Sequence, residues 1–192
     1  MRNSKVLILS EGAVMVALAT ALSLVKIFKL PWGGSVTLLS MLPIVFFSIR
    51  RGLVSGFAAS FAYALVQLFL DLGEVLSWGL TPGTLIACFL LDYIFAFAVV
   101  GIAGIFRKKG TSGYIYGTVL AVCLRFIVHF LSGVILWKSY GELWGDFFTE
   151  NTVLYSICYN GAYMLPELIL TVVAIVIMAN IPQSKRLFIA EK

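Results

Sequence analysis

The sequence contains long runs of apolar residues, most of them long enough to cross a lipid bilayer as an α-helix. About 20 such residues span the hydrocarbon core, so these runs restrict the fold more than any other feature. Runs bounded by charges, glycine or proline predict six helices, near residues 8–28, 36–49, 52–70, 84–106, 113–137 and 153–181. The second run is short and contains Pro43, so we expect that helix to be tilted, bent or partly interfacial. The sequence therefore predicts an all-α membrane protein with six transmembrane helices in a single domain, residues 1–192.

The composition agrees with this class of protein. Hydrophobic residues make up 61% of the chain, charged residues make up 12%, and the mean hydropathy is +1.02. A soluble domain has about 25% charged residues. The net charge of +5 would suit a nucleic-acid partner, but the basic residues lie almost entirely between the apolar runs. We therefore expect membrane lipid, and no nucleic acid, around this chain.

The distribution of Lys and Arg predicts the orientation of the helices. Cytoplasmic loops carry the excess of positive charge in membrane proteins. With six spans and a cytoplasmic N-terminus, ten basic residues lie on the cytoplasmic side and three on the outer side, so both termini are predicted to be cytoplasmic. The ten are Arg2, Lys5, Arg50, Arg51, Arg107, Lys108, Lys109, Lys185, Arg186 and Lys192, and the three are Lys26, Lys29 and Lys138.

Polar side chains within the predicted spans recur at one depth. Counted at about 1.5 Å per residue from the outer helix ends, a carboxyl, an imidazole, an amide and a phenol lie roughly 12 Å down. These belong to Asp92, His129, Asn160 and Tyr63, with Gln67 one turn above Tyr63 and with Trp137 and Tyr155 nearer the mouth. Each alone is explained as an ordinary interhelical hydrogen bond. Together they predict an outward-facing ligand pocket.

The chemistry of this predicted pocket suits a flat heteroaromatic cation. A carboxylate would balance the charge, and aromatic rings would contribute stacking and cation–π contacts. Arg125 and Glu167 fall near the midpoints of their spans, where we expect a buried ion pair. Glu11, near the start of the first helix, is expected to interact with the helix dipole.

A stripe of small residues marks the first predicted helix. Ala13, Ala17 and Ala21 recur every four residues and allow another helix to pack closely. Packing within the chain explains this stripe as well as a partner protein does.

Two outer loops have distinct patterns. Residues 138–152 repeat apolar positions at helical spacing, which predicts an amphipathic helix at the membrane interface. Residues 30–35 contain Trp32 and a pair of glycines, which makes this segment the better candidate for a lid.

Four groups of residues resemble a known family, in order and over nearly the whole chain. The family is the thiamine-specific substrate-binding subunit of energy-coupling factor transporters. The matching residues are Ser48-Ile49-Arg50-Arg51-Gly52, Leu90-Leu91-Asp92-Tyr93 with Gly101-Ile102-Ala103-Gly104, Leu124-Arg125 through His129-Phe130 with Ser132-Gly133, and Tyr155-Ser156 with Tyr159-Asn160.

The resemblance implies a six-helix subunit of a bacterial plasma membrane that captures thiamine from outside. It further implies a transmembrane coupling subunit and two ATP-binding-cassette ATPases as partners, with the alanine stripe at Ala13 and Ala17 contacting the coupling subunit. Thiamine is the ligand, and no cofactor is implied. The family's pocket residues correspond to Asp92, Tyr93, His129, Trp137, Tyr155 and Asn160. Some members have Glu at position 92, and the spacing of Trp32 to Arg50 differs among members.

Two other functional classes are open to a chain of this kind. A self-sufficient secondary transporter of a small heteroaromatic cation would use His129 or Asp92 as its proton-coupling group. An intramembrane enzyme is disfavoured, because one histidine and scattered acids make no convincing metal site and no nucleophile has a positioned base. The chain also has no G-x-x-x-x-G-K-[ST] phosphate loop, so ATP hydrolysis is expected in another chain.

Overall fold

The computed structural model describes residues 4–144 and 147–189, without the side chains of Ser4, Trp32 and Trp144. Helices dominate, and two short antiparallel hairpins join them at one end of the bundle. A short helix follows the last long one. In chain order the elements are α1 (Ser4–Ser23), β1 (Lys26–Lys29), β2 (Ser35–Thr37), α2 (Leu42–Arg51), α3 (Leu53–Ser77), α4 (residues 82–109), α5 (residues 110–137), β3 (Gly141–Trp144), β4 (Phe147–Thr149), α6 (Thr152–Asn180) and α7 (Pro182–Lys185).

Four helical stretches in the described residues are long and apolar enough to cross a membrane. They are Lys5–Ser23, Leu53–Ser77, Pro82–Trp137 and Thr152–Asn180. The third has 56 residues and consists of α4 and α5, which meet at Gly110. Gly110 has a φ of +65°, a conformation that favours glycine, and the chain reverses direction there. The prediction of a mostly helical, multi-pass membrane protein is confirmed.

Segments of π-helix interrupt α4 and α5. In α4 the segment is Phe89–Phe95, and in α5 it is Gly133–Trp137. A π-helical turn contains extra backbone between hydrogen-bonded groups and therefore changes which side chains face the neighbouring helix. Such segments occur often at functional sites. Here they contain Asp92 and Trp137, whose side chains meet in the cavity described below.

Small residues allow α2, α3 and α4 to cross closely. The Ser48 hydroxyl donates to the Gly101 carbonyl at 2.5 Å and accepts from the Gly104 N–H at 2.9 Å. A Cβ atom at Gly104 would collide with the Ser48 carbonyl, and one at Gly56 would collide with the Ser48 side chain. These positions therefore exclude larger side chains, and backbone packs against backbone.

A cluster of charged residues joins α1, α2 and the C-terminal segment at the other end of the bundle from the hairpins. Glu11 accepts hydrogen bonds from Arg51 at 2.6 Å and contacts Arg50 at 3.4 Å. Arg50 also donates to the carbonyls of Leu187 and Ile189, and Arg107 donates to the Arg50 carbonyl. The prediction of a helix-dipole role for Glu11 is wrong, because α1 begins at Ser4 and Glu11 lies beyond its first turn.

The first two helices differ from the sequence prediction at the ends that face each other. Helix α1 ends at Ser23 instead of residue 28, because Lys26–Lys29 pairs with Ser35–Thr37 as a β-hairpin. Helix α2 begins at Leu42 instead of residue 36, with Pro43 in its first turn, where proline is well tolerated. Two β-formers flanked by lysines in Lys26–Lys29 suit a strand as well as they extend a helical run.

The predicted amphipathic helix over residues 138–152 is wrong. Strands β3 and β4 form a second antiparallel hairpin there. Two residues with positive φ, Lys138 at 47° and Gly141 at 119°, interrupt any helix at the start of this segment. The aromatic residues that gave the helical spacing are also good strand formers. Asp146 of this loop lies outside the described residues.

Candidate ligand-binding site

A cavity of about 600 Å³ lies between α3, α4, α5 and α6, on the side of the bundle where the hairpins are. This volume is in the range of small-molecule sites in proteins. The β1–β2 hairpin and the loop between its strands contribute Gly33, Gly34, Ser35 and Thr37 to the wall. Trp78, Leu80 and residues 138–140 lie at the helix ends around it.

The carboxylate of Asp92 is the most highly coordinated acidic group in the cavity. Its Oδ2 accepts hydrogen bonds from the Ser132 hydroxyl at 2.8 Å and from Trp137 Nε1 at 2.9 Å. Its Oδ1 lies 3.3 Å from His129 Nδ1. All three partners belong to α5, so Asp92 is positioned by the antiparallel packing of α4 on α5. Donors on both oxygens fix the orientation of the carboxylate.

The side of the cavity formed by α5 carries a positive group, Arg125, below His129. Arg125 Nε lies 3.5 Å from His129 Nε2, one helical turn away. The guanidinium also lies over the Phe97 ring, 4.1 Å from its centroid, in a cation–π contact. Arg125 therefore faces the cavity. No ion pair joins it to Glu167 in the part of the chain that the structure describes, so the predicted buried pair is wrong.

Helix α6 presents a row of polar side chains. Asn160 donates to the Ser156 carbonyl at 2.9 Å and accepts from the Tyr163 hydroxyl at 2.7 Å. Ser156 donates to the Phe130 carbonyl at 2.9 Å, which ties α6 to α5. Tyr159 lies between these residues and stacks on Tyr155 with ring centroids 6.1 Å apart. The row gives the cavity an amide oxygen and several phenols.

Helix α3 forms the opposite wall. Gln67 donates to the Ser23 hydroxyl at 2.9 Å, which links α3 to the end of α1. The hydroxyl of Tyr93 donates to Asp71 at 3.3 Å. The Tyr63 side chain is almost completely buried and packs edge-on against Phe97, with centroids 5.5 Å apart. Apart from the amide, the carboxylate and the phenol hydroxyls, this wall consists of aromatic rings.

Two tryptophans lie side by side near the mouth of the cavity. Trp78 and Trp137 pack edge to face, with ring centroids 5.4 Å apart. Trp78 ends α3, and Trp137 ends α5. The indole of Trp137 is oriented by its hydrogen bond to Asp92, so an aromatic ring and a carboxylate adjoin each other. A cationic ring would find both groups within one contact surface.

The β1–β2 hairpin is attached to the helices at three points. Lys29 forms an ion pair with Glu74 of α3 at 3.0 Å. The Tyr159 hydroxyl donates to the Pro31 carbonyl and accepts from the Gly34 N–H at 3.1 Å. The third point is Thr37, whose backbone N–H and hydroxyl donate to Glu167. These contacts hold residues 30–35, the predicted lid, at the wall of the cavity.

The structure brings the polar residues singled out in the sequence into one cavity. The side chain of Trp32 lies outside the described residues, and the other eight line the cavity, namely Tyr63, Gln67, Asp92, Tyr93, His129, Trp137, Tyr155 and Asn160. Sequence reasoning missed Trp78, Tyr159 and Tyr163 and placed Arg125 and Glu167 in a separate pair. The spacing of Tyr155, Tyr159, Tyr163 and Glu167, every four residues along α6, is a signal that identifies this face.

A bundle of apolar helices with a polar and aromatic cavity defines the chain as a multi-pass membrane protein with a site for a small molecule. Among the described residues, no group of three or more His, Cys, Asp or Glu side chains is arranged to hold a metal ion.

Known proteins match the chain along nearly its whole length. The family described as thiamine transporter protein (Thia_YuaJ) matches residues 9–187. The thiamine transporter ThiT of Bacillus subtilis (strain 168) is 32% identical over 195 residues, which cover 93% of this chain and 93% of that protein. The thiamine transporter ThiT of Lacticaseibacillus paracasei is 26% identical over 210 residues, with 99% and 94% covered. A solved structure of ThiT from Listeria monocytogenes has a TM-score of 0.76 and 26% identity, and the match covers 97% of this chain and 100% of that chain.

The chain belongs to the thiamine transporter protein family. The resemblance drawn from the sequence is thereby confirmed. Because the family consists of transport proteins, the chain is a transport protein and not an enzyme.

Proposed function

We propose that this chain binds thiamine in the cavity as the substrate-binding subunit of an energy-coupling factor transporter in a bacterial plasma membrane. One structural observation supports the proposal independently of family membership. The Asp92 carboxylate adjoins the Trp137 indole inside a cavity of about 600 Å³. A small aromatic cation needs this combination of charge and ring surface.

The two halves of thiamine find complementary groups in the cavity. The thiazolium ring carries the positive charge, and Asp92 balances it while Trp137 and His129 offer ring faces. Tyr155 and Asn160 lie nearer the mouth, on the same side as the thiazolium ring and its hydroxyethyl group. The aminopyrimidine ring needs stacking and hydrogen bonds from groups deeper in the cavity. The remaining residues proposed to contact the ligand are Trp32, Tyr63, Gln67 and Tyr93.

The proposed orientation has six spans, both termini in the cytoplasm and the cavity open to the outside. The separation of charge along the bundle supports it. Arg50, Arg51 and Arg107 cluster at the end opposite the cavity, as expected for the cytoplasmic side. In this arrangement residues 1–192 form a single domain, and the ten-residue α2 is one of the six spans.

We further propose that α1 contacts the transmembrane coupling subunit, which assembles with two ATP-binding-cassette ATPases. Ala13, Ala17 and Ala21 are all exposed on α1. Of the four apolar stretches, α1 buries the smallest share of its residues. Small exposed residues at this spacing let a second helix approach closely. Ala17→Leu should block assembly with the coupling subunit and leave thiamine binding intact, which co-purification and titration of the same sample would measure.

Isothermal titration of the purified chain with thiamine tests the central proposal. We expect binding at a 1:1 ratio, with quenching of tryptophan fluorescence because Trp78 and Trp137 line the cavity. Titration with the pyrimidine half alone and with thiamine diphosphate would show which parts of the ligand contribute. No binding of thiamine at micromolar concentration would reject the proposal.

A second mode of transport is favoured by one contact. Asp92 and His129 lie 3.3 Å apart and form a pair that can exchange a proton. A self-sufficient proton-coupled transporter would use such a pair. Vesicles that contain this chain alone, with a proton gradient and no ATPases, would accumulate thiamine in that case. We expect no accumulation until the coupling subunit and the ATPases are added.

A further inference from the structure

The deep end of the cavity contains a carboxylate that is not among the ligand contacts proposed above. Glu167 of α6 is 3% exposed and lines the cavity. Its Oε1 accepts hydrogen bonds from the Thr37 backbone N–H and from the Thr37 hydroxyl, the latter at 2.6 Å. Its Oε2 is buried and has no hydrogen-bond partner within the described part of the chain. One oxygen is therefore occupied and the other is free.

Tyr63 of α3 presents a second free oxygen at the same depth. Its side chain is 2% exposed and lines the cavity, and its hydroxyl lies near the Ser23 and Ser40 side chains without a hydrogen bond of normal geometry among the described residues. Counted from the helix ends on the cavity side, Tyr63 lies about 21 Å deep and Glu167 about 22 Å deep, against about 12 Å for Asn160. The two oxygens thus form a level below the layer that contains Asn160.

Unpaired buried oxygens are energetically unfavourable, and a carboxylate oxygen is the most unfavourable of them. Ser60 and Thr171 also have buried hydroxyls without a partner in the described residues, but neither side chain lines the cavity. Of these four described side chains, those of Glu167 and Tyr63 are the ones to which a small molecule in the cavity can supply hydrogen bonds. A ligand with an N–H donor beside an acceptor nitrogen would satisfy both groups.

We propose that Glu167 Oε2 accepts a hydrogen bond from the amino group of a bound aminopyrimidine, with the Tyr63 hydroxyl donating to the adjacent ring nitrogen. This inference rests on the proposed function, because thiamine is the ligand that brings an aminopyrimidine to the cavity. The cationic thiazolium ring then lies nearer the mouth, beside Asp92 and Trp137. Each of the two carboxylates recognises one half of the ligand.

The same carboxylate connects the ligand to the hairpin over the cavity. Oε1 of Glu167 is bonded to Thr37 at the end of β2, so the position of the carboxylate depends on the position of the hairpin. Ser40 lies 2.6 Å from the Thr37 hydroxyl. The Thr37 hydroxyl has only one proton, which it gives to the carboxylate, so Ser40 must be the donor of the second bond. Recognition of the amino group therefore requires the hairpin to be in place.

The test uses Glu167→Gln and two ligands. A glutamine keeps an oxygen for the Thr37 N–H and places an NH₂ donor where the free oxygen was. Oxythiamine carries an oxo group in place of the amino group, so it accepts where thiamine donates. In the wild type we expect thiamine to bind more tightly than oxythiamine. In Glu167→Gln we expect the ratio of the two dissociation constants to shift by at least about tenfold towards oxythiamine, because donor and acceptor are exchanged.

Thr37→Val is the matched control for a purely structural role. It removes the hydroxyl bond to Glu167 and leaves the free oxygen unchanged, so we expect both ligands to weaken by the same factor. A shift of the ratio in Thr37→Val equal to that in Glu167→Gln would overturn the inference, as would an unchanged ratio in Glu167→Gln. If wild-type protein binds no thiamine, the proposed function fails instead.

Tyr63→Phe keeps the inference testable if Glu167→Gln does not fold. The Tyr63 hydroxyl makes no hydrogen bond of normal geometry among the described residues, so its removal should change the unfolding temperature of the ligand-free protein by little. We expect thiamine affinity to fall about tenfold, since a hydrogen bond to the ring is lost. Unchanged affinity for thiamine in Tyr63→Phe would show that the ligand does not reach this level, and would overturn the inference.

Discussion

Trp137 Nε1 donates a hydrogen bond to Asp92 Oδ2 at 2.9 Å, across the interface between α5 and α4. The carboxylate proposed to balance the ligand's charge thus also orients the ring proposed to stack on the ligand. Charge and ring surface are coupled, because a change at either residue alters the other. Both residues lie in π-helical segments, which turn them towards the same point.

Replacing Asp92 with Asn tests the contribution of the charge. An amide oxygen can still accept from Trp137, so the main loss is the negative charge. We expect thiamine to bind about 30-fold more weakly, roughly 2 kcal/mol, as measured by isothermal titration. Glu142→Gln is the matched control, since Glu142 is exposed on the β3–β4 hairpin. Equal affinities in Asp92→Asn and wild type would remove Asp92 from the site.

Tyr159→Phe tests whether the attachment of residues 30–35 retains the ligand. The change removes the hydroxyl that bonds Pro31 and Gly34 and keeps the ring that stacks on Tyr155. We expect thiamine to dissociate about tenfold faster, because two hydrogen bonds to the hairpin loop are lost. Stopped-flow tryptophan fluorescence measures this rate.

The control for that experiment is Tyr116→Phe, on an exposed position of α5. It should leave the dissociation rate unchanged. A slower association rate in Tyr159→Phe, with dissociation unaffected, would argue that the hydroxyl shapes the entrance and does not retain the ligand.

Gly117→Ala tests the packing of α5 on α4. A Cβ atom at position 117 would collide with the Ala103 carbonyl, and neither backbone can yield without separating the helices. We expect a loss of about 2 kcal/mol in the free energy of unfolding, seen as a lower unfolding temperature in detergent. Gly73→Ala on α3 has open space around its Cβ and should be neutral or slightly stabilising. If both variants unfold at the same temperature, the close approach of α4 and α5 is not needed for stability.

Glu11→Gln tests the charged cluster at the end opposite the cavity. Glu11 pairs with Arg51, whose side chain is 6% exposed, so neutralisation of Glu11 removes the negative charge of a largely buried ion pair. We expect a loss of about 2 kcal/mol in stability, between the values for exposed and fully buried pairs. Thiamine affinity should not change, because the cavity is at the other end. A weakened affinity would indicate coupling along the whole bundle.

Depth along a helix could be predicted from the sequence where the predicted helix end was right, and direction around it could not. The depth predicted for Tyr63 is wrong, because α3 continues to Ser77 instead of ending near residue 70 and Tyr63 lies below the predicted layer. Asp92, His129 and Asn160 share a cavity because the rise of 1.5 Å per residue fixes how far each lies below its helix end. The sequence predicted the depth of Arg125 and Glu167 correctly, but the predicted ion pair between them is wrong. Each residue turns a helix by about 100°, so small errors in boundaries, or a π-helical turn, change which neighbour a side chain meets.

The hairpins could not be predicted for a different reason. Residues 26–29 contain two apolar residues between two lysines, and a short segment of this kind suits a strand as well as the end of a helix. The β1–β2 pairing depends on contacts with Tyr159 and Glu167, which lie more than 100 residues away in the sequence. Only the folded chain brings those partners together.

The crossing at Ser48 has a consequence for how a solute gets in and out. Where α2, α3 and α4 meet backbone to backbone, there is no compressible layer of side chains, so these three helices must move as one rigid block. Any opening that admits a vitamin-sized solute is therefore expected at the remaining wall, where the β1–β2 hairpin is held by separable polar contacts of Lys29, Thr37 and Tyr159. The entrance is therefore on the side of this hairpin, and the α2–α4 side stays fixed.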